Sequence, residues 1–158
     1  MAKVISTSSY CILPDKKLII DIYDGYLTFD AFKGHKLHQV AEKNFDSTYS
    51  ILSDFRTIEV RMTLDEVTEY GKFAVANNIV GKRRAALVLS TPNQFVYAKQ
   101  YDSSVKEESG QQMFTFLSFD EALAWLGLTD SKDELMELIT HYRNEPMFRW
   151  EAKHNEVI

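Results

Sequence analysis

The chain has 158 residues, of which 45% are apolar and 26% charged, with a formal net charge of −5. That composition fits one globular domain with one core, and excludes disordered and fibrous classes. The acidic balance argues against nucleic-acid binding, which needs a surplus of Lys and Arg on one face.

Cys11 is the sole cysteine, so no internal disulfide forms and nothing points to secretion. Met1-Ala2-Lys3-Val4-Ile5 lacks the apolar run of a signal peptide. No apolar stretch approaches the ~20 residues that cross a bilayer. The expected location is the cytoplasm.

In chain order, Tyr10–Leu13 and Leu18–Tyr23 read as strands of a β-hairpin, joined by the turn Pro14-Asp15-Lys16-Lys17 and ended by Asp24-Gly25. Asp30 to Asn44 carries Leu37, Val40, Ala41 and Phe45 at helical spacing. Tyr49–Ser53 is a strand. Leu64, Val67, Gly71, Ala74 and Val75 share a face of a second helix. Ala85–Leu89 is an apolar run without alternation, as expected of a strand covered on both faces. Phe95, Ala98, Tyr101 and Val105 mark a third helix, and Met113–Leu117 a last strand. Ala122 to Leu126 and Leu135 to Tyr142 mark two further helices, the second ended by Pro146. Four stretches fit a capping box: Thr63 to Glu66, Thr91 to Gln94, Ser118 to Glu121 and Ser131 to Glu134. Pro92 occupies a first-turn position that has no hydrogen bond to lose.

This order predicts an α/β fold: a mixed, mostly parallel sheet of about five strands with a leading hairpin, covered by helices. Residues 1–128 form the main domain. An extra helix and tail, 129–158, pack on it. Met147-Phe148-Arg149-Trp150 is expected to cover the domain's own surface or a second copy, because such clusters seldom stay exposed. Residues 155–158 read as a frayed terminus.

No phosphate loop, dinucleotide fingerprint or nucleophile elbow is present. His35 and His38 stand three apart on the first helix, but no third ligand is spaced nearby; a solvated helix face is preferred to a metal site. His141 and His154 read as surface residues. Cys11 reads as a small buried hydrophobe. Gly81-Lys82-Arg83-Arg84 reads as a solvated loop, with an anion patch as the alternative. Asp54, Arg56 and Thr57 follow a strand, and Thr63, Thr91 and Asn93 stand at helix starts. Ligands of open α/β sheets bind beyond the carboxyl ends of strands, so these six are the candidate ligand or partner surface. Aromatic residues make up 13% of the chain. Tyr23, Tyr26, Phe29, Phe32, Tyr97 and Tyr101 could line an apolar pocket, although core packing is their commoner use.

The order of elements, together with Gly25, Asp54 and the ending Met113-Phe114-Thr115-Phe116-Leu117-Ser118-Phe119-Asp120-Glu121-Ala122-Leu123-Ala124-Trp125-Leu126, resembles the STAS domain in an uncharacterised, bacterial, SpoIIAA-like branch. The resemblance covers roughly Tyr10 to Leu128. It implies a non-catalytic regulatory or protein-interaction module, without cofactor or metal, working through a protein partner or as a homodimer. The family's antagonists carry a phosphorylatable Ser nine residues after a strand-ending Asp; counting from Asp54, this reaches Thr63. Here Met62 and Leu64-Asp65 replace the family's flanking residues, and Asp65 and Glu66 would oppose an added phosphate. The same superfamily neighbourhood includes lipid-binding domains of the CRAL-TRIO type. That implies the alternative: a binding protein for a small amphipathic or lipid-like ligand in an aromatic pocket.

Overall fold

The computed structural model describes residues 3–152; His154 and the tail 155–158 lie outside them. The elements are β1 (Val4–Leu13), β2 (Leu18–Thr28), α1 (Phe29–Val40), β3 (Ser50–Arg61), α2 (Leu64–Ala76), β4 (Arg84–Val88), α3 (Pro92–Ser109), β5 (Gln112–Phe116), α4 (Phe119–Leu126), α5 (Lys132–Asn144) and β6 (Phe148–Glu151). One sheet holds all the described strands in the order β5-β4-β3-β2-β1-β6. Pairs β2–β3, β3–β4 and β4–β5 are parallel, and β1 is antiparallel to both β2 and β6. The mixed, mostly parallel sheet with its leading hairpin is the architecture expected, extended by a sixth strand.

The hairpin turns where Pro14 predicts it. A single turn of 3₁₀ helix over Pro14–Lys16 ends at Lys17, whose φ of 49° is left-handed. β2 does not stop at Asp24-Gly25, however. Gly25 continues the strand at φ 91°, and a Cβ there would meet the Ile5 carbonyl of β1. The glycine therefore marks a close approach of two backbones within the ladder, not its end. β3 likewise runs past Asp54 to Arg61, because Thr57–Arg61 keep pairing with Asp24–Thr28 after the β4 pairing ends at Asp54–Val88.

The crossovers β2–α1–β3, β3–α2–β4 and β4–α3–β5 advance in one direction. With the usual right-handed connection, α1, α2 and α3 fall on one face. Strand alternation then divides the core. Leu18, Ile20 and Ile22 pack with Leu135 and Ile139 of α5 and Leu123 of α4. Ile19, Ile51, Ala85 and Leu87 pack against Ala98 of α3. Leu18, Ile19 and Ile20 are fully buried, each contributing about 1.5–3 kcal/mol by burial. No helix among the described residues is long and apolar enough to cross a membrane.

The caps at Thr63 and Thr91 are complete boxes, and Ser118 accepts from the Glu121 amide at 3.3 Å. Ser131 makes no cap bond. It ends a 3₁₀ turn, Thr129–Ser131, and its φ and ψ of −100° and 8° are not the extended cap conformation, so its hydroxyl cannot reach the third amide. The segment Met147–Trp150 lies on the chain's own sheet: β6 pairs with the outer edge of β1, from Ser8–Phe148 to Val4–Glu151.

Candidate functional site

Two constellations occupy opposite faces of the sheet. On the α4–α5 face, the Asp54 carboxylate is fully buried and bound by two guanidinium groups. Arg56 donates through Nε at 2.9 Å and Nη2 at 3.1 Å, and Arg143 of α5 donates through Nη2. Arg143 Nη1 also reaches Thr57 Oγ1 at 2.7 Å, and the Arg56 guanidinium stacks 4.5 Å from the Phe119 ring centroid. The structure thus joins Asp54, Arg56 and Thr57 in an arginine-braced corner. Thr63 and Thr91 stand apart as caps of α2 and α3. Asn93 is exposed in the first turn of α3. Arg143 was not visible as a member, because it lies 89 residues from Asp54 and no local pattern marks it.

The other face carries a cavity of about 90 Å³ between the sheet and α1–α3. Strand alternation builds its floor. Tyr23 of β2, Ser53 and Phe55 of β3, and Ala85 and Leu87 of β4 point the same way, and the small side chains of Ser53 and Ala85 leave space beneath α2 and α3. Its walls are aromatic. Tyr23 stacks on Phe55 at 4.8 Å and Phe32 on Tyr70 at 4.6 Å. Of the six aromatics considered from sequence, Tyr23, Phe32, Tyr97 and Tyr101 line the cavity. Tyr26 instead lies under the Arg61 guanidinium, and Phe29 packs at the edge of the cluster that holds Tyr70 and Ala74, with Lys33 above its ring.

Beside the cavity is a buried polar network that overturns the solvated reading of the first helix. His35 and Asp21 are fully buried, and Lys36 and Gln39 nearly so. His35 Nε2 lies 2.9 Å from Asp21 Oδ1, and Nδ1 lies 2.8 Å from Ser8 Oγ. Trp150 Nε1 donates to the same Ser8 oxygen at 2.8 Å. The indole can only donate, which leaves the Ser8 proton free for Nδ1, with Nε2–H donating to Asp21. This arrangement accommodates a neutral imidazole. Burial lowers the His35 pKa, against the pull of Asp21. Lys36 Nζ donates to Asp21 Oδ2, and Gln39 Nε2 to Oδ1 at 2.6 Å. Burial would raise the Asp21 carboxyl, but Lys36 and His35 outweigh it and hold it well below the carboxylate range. His38 stays exposed and stacks on Phe148. No group of three His, Cys, Asp or Glu among the described residues could hold a metal.

The basic run also divides. Lys82 and Arg84 are exposed, and Arg84 packs on Trp125. Arg83 is only 8% exposed and lines the cavity, so the solvated-loop reading fails for it. Gln111, the residue before β5, draws it inward: Arg83 Nε donates to Gln111 Oε1 at 2.9 Å. Four buried polar atoms on the cavity wall close no hydrogen bond: Tyr23 Oη, Tyr70 Oη, Arg83 Nη1 and Gln111 Nε2. Burial pushes both tyrosines well above their ordinary pKa, so both remain phenols. Cys11 is half-buried on the opposite face, and burial pushes its thiol up, away from nucleophilic use.

The sheet order and the helix placement define a SpoIIAA-like α/β sandwich. A crystal structure of an uncharacterised protein of the DUF3478 family with that fold, from Shewanella loihica PV-4, superposes with a TM-score of 0.55 and 15% identity, covering 80% of this chain and 98% of that one. That likeness is one of fold. No family model matches the chain, and no curated protein matches it.

Proposed function

We propose that this chain is a non-catalytic binding domain that holds a small amphipathic molecule in the cavity between its sheet and α1–α3. One observation supports the reading: an aromatic cavity in which four buried polar atoms lack partners. Buried polar groups are ordinarily satisfied, and each exception costs on the order of 1–3 kcal/mol. A ligand with an apolar body and a polar end would satisfy both the walls and the orphaned groups. Ser8, His35 and Asp21 form a hydroxyl–imidazole–carboxylate chain, but all three are buried and none lines the cavity. The buried histidine and lysine are both committed to Asp21.

A second reading is the regulatory module, meeting a protein partner or a second copy at the carboxyl end of the sheet. Leu64 and Val96 favour it: they are 43% and 52% exposed, beside the caps Thr63 and Thr91. Thr63 would be its phosphoacceptor. Its hydroxyl now accepts from the Glu66 amide at 3.1 Å.

Native mass spectrometry of gently purified full chain separates the two. The expected result is a monomer with a small added mass, released by denaturation. A bare dimer favours the second reading. A bare chain whose melting temperature no small amphipath raises would overturn the first.

A further inference from the structure

The groups left without partners indicate what the ligand carries. Tyr70 Oη and Arg83 Nη1 can donate, and Gln111 Nε2 carries two N–H groups, of which one faces Tyr101. The orientation of the Gln111 amide follows from its neighbour: a guanidinium has only donors, so the oxygen faces Arg83 and the nitrogen faces away. This end of the cavity therefore lacks an acceptor.

The charges agree. Lys36 is paired with Asp21, and burial disfavours a charge on His35. Arg83 has one side-chain hydrogen bond, to an amide, and no ion pair among the described residues. A guanidinium cannot shed its proton to escape burial. The cavity wall thus holds one positive charge with no counter-ion among the described residues. Tyr70 and Tyr101 both lie within the electrostatic reach of Arg83.

Resting on the cavity-binding reading above, we propose that the ligand is an apolar monocarboxylic acid whose carboxylate pairs with Arg83 at the amino end of the sheet. The carboxylate accepts from Arg83 Nη1, with Gln111 Nε2 and the Tyr70 hydroxyl as supporting donors. Its ring or alkyl chain lies along Phe32, Phe55 and Leu87. A phosphate monoester fits less well, because it brings about −1.5 to −2 charges at neutral pH to a site with one to balance. A neutral alcohol or amide leaves the guanidinium unpaired.

The proposal separates Arg83 from a structural arginine. An unpaired buried cation lowers the stability of the empty protein, and an apolar side chain of similar length relieves that. Arg83→Met should therefore match or exceed the wild type in melting temperature while losing the acid.

The test is calorimetric titration of the full chain with octanoate and, separately, octanamide, which share a body but not a charge. Wild type should bind octanoate about tenfold or more tightly than octanamide, the worth of a charged hydrogen bond. Arg83→Met should bind the two alike, and Gln111→Met should lose part of the preference. Equal binding of both by the wild type would overturn the acid assignment and leave the cavity reading standing. Binding of neither, together with no effect of either on a Ser53→Leu variant that fills the cavity, would overturn both. If Arg83→Met does not fold, the wild-type ratio still decides.

Discussion

Asp21 shows how a buried acid becomes a structural keystone. Its two oxygens take donors from His35, Lys36 and Gln39, all on α1. Asp21→Asn keeps the shape but removes the charge that balances Lys36. Breaking a buried pair by removing one partner costs about 3–5 kcal/mol. The urea midpoint should fall accordingly, and Asp21→Asn with Lys36→Met should recover most of the loss. Additive losses in the double variant would show that Lys36 is balanced elsewhere. None of this network was legible in the sequence. His35, Lys36 and Gln39 look like a solvated helix face. They turn inward because the strand beside them presents an acid instead of another isoleucine. Gly34 has a related explanation. A Cβ there would stand 2.7 Å from the Trp150 ring, which reaches across from β6. Contacts between distant residues leave no local pattern. Arg83 was misread for the same reason: a charge run looks solvated until Gln111, 28 residues on, places a carbonyl beneath it.

At the scale of elements, local signals carried most of the reading. Capping residues, the Pro14 turn and apolar spacing act over four or five residues, so the sequence displays them directly. Helix starts at Thr63 and Thr91 followed from the spacing alone. Strand ends did not. Gly25 and Asp54 read as stops, but pairing with β1 and β2 carries both strands onward, and pairing partners are remote in sequence. Ser131 separates a cap motif from a working cap. Thr63→Ala should cost about 1 kcal/mol, because a hydroxyl that accepts from Glu66 disappears. Ser131→Ala should cost nothing measurable, because Ser131 makes no cap bond. Thermal unfolding of the two variants checks the contrast, and equal losses would contradict it.

At the scale of the whole molecule, the network joins the two ends of the fold. Trp150 of β6 donates to Ser8 of β1, Ser8 to His35 of α1, and His35 to Asp21 of β2. Its state should govern how stability depends on pH. Burial holds His35 below its ordinary pKa, and Lys36 and His35 hold Asp21 below the carboxylate range. On acidification below about 6.5, the unfolded chain protonates this histidine while the native chain does not. The unfolded state then binds more protons, so stability falls as pH falls. Below about 4 the same reasoning applies to Asp21 and steepens the loss. Each net proton contributes a slope of up to about 1.4 kcal/mol per pH unit. Urea midpoints at pH 7.5, 6.0 and 5.0 should therefore decline for the wild type. His35→Asn removes the histidine and should flatten the decline between pH 7.5 and 5.0, whatever its effect on absolute stability. If His35→Asn retains the slope, another group titrates, and the neutral imidazole between Ser8 and Asp21 is not what links β6 to the core.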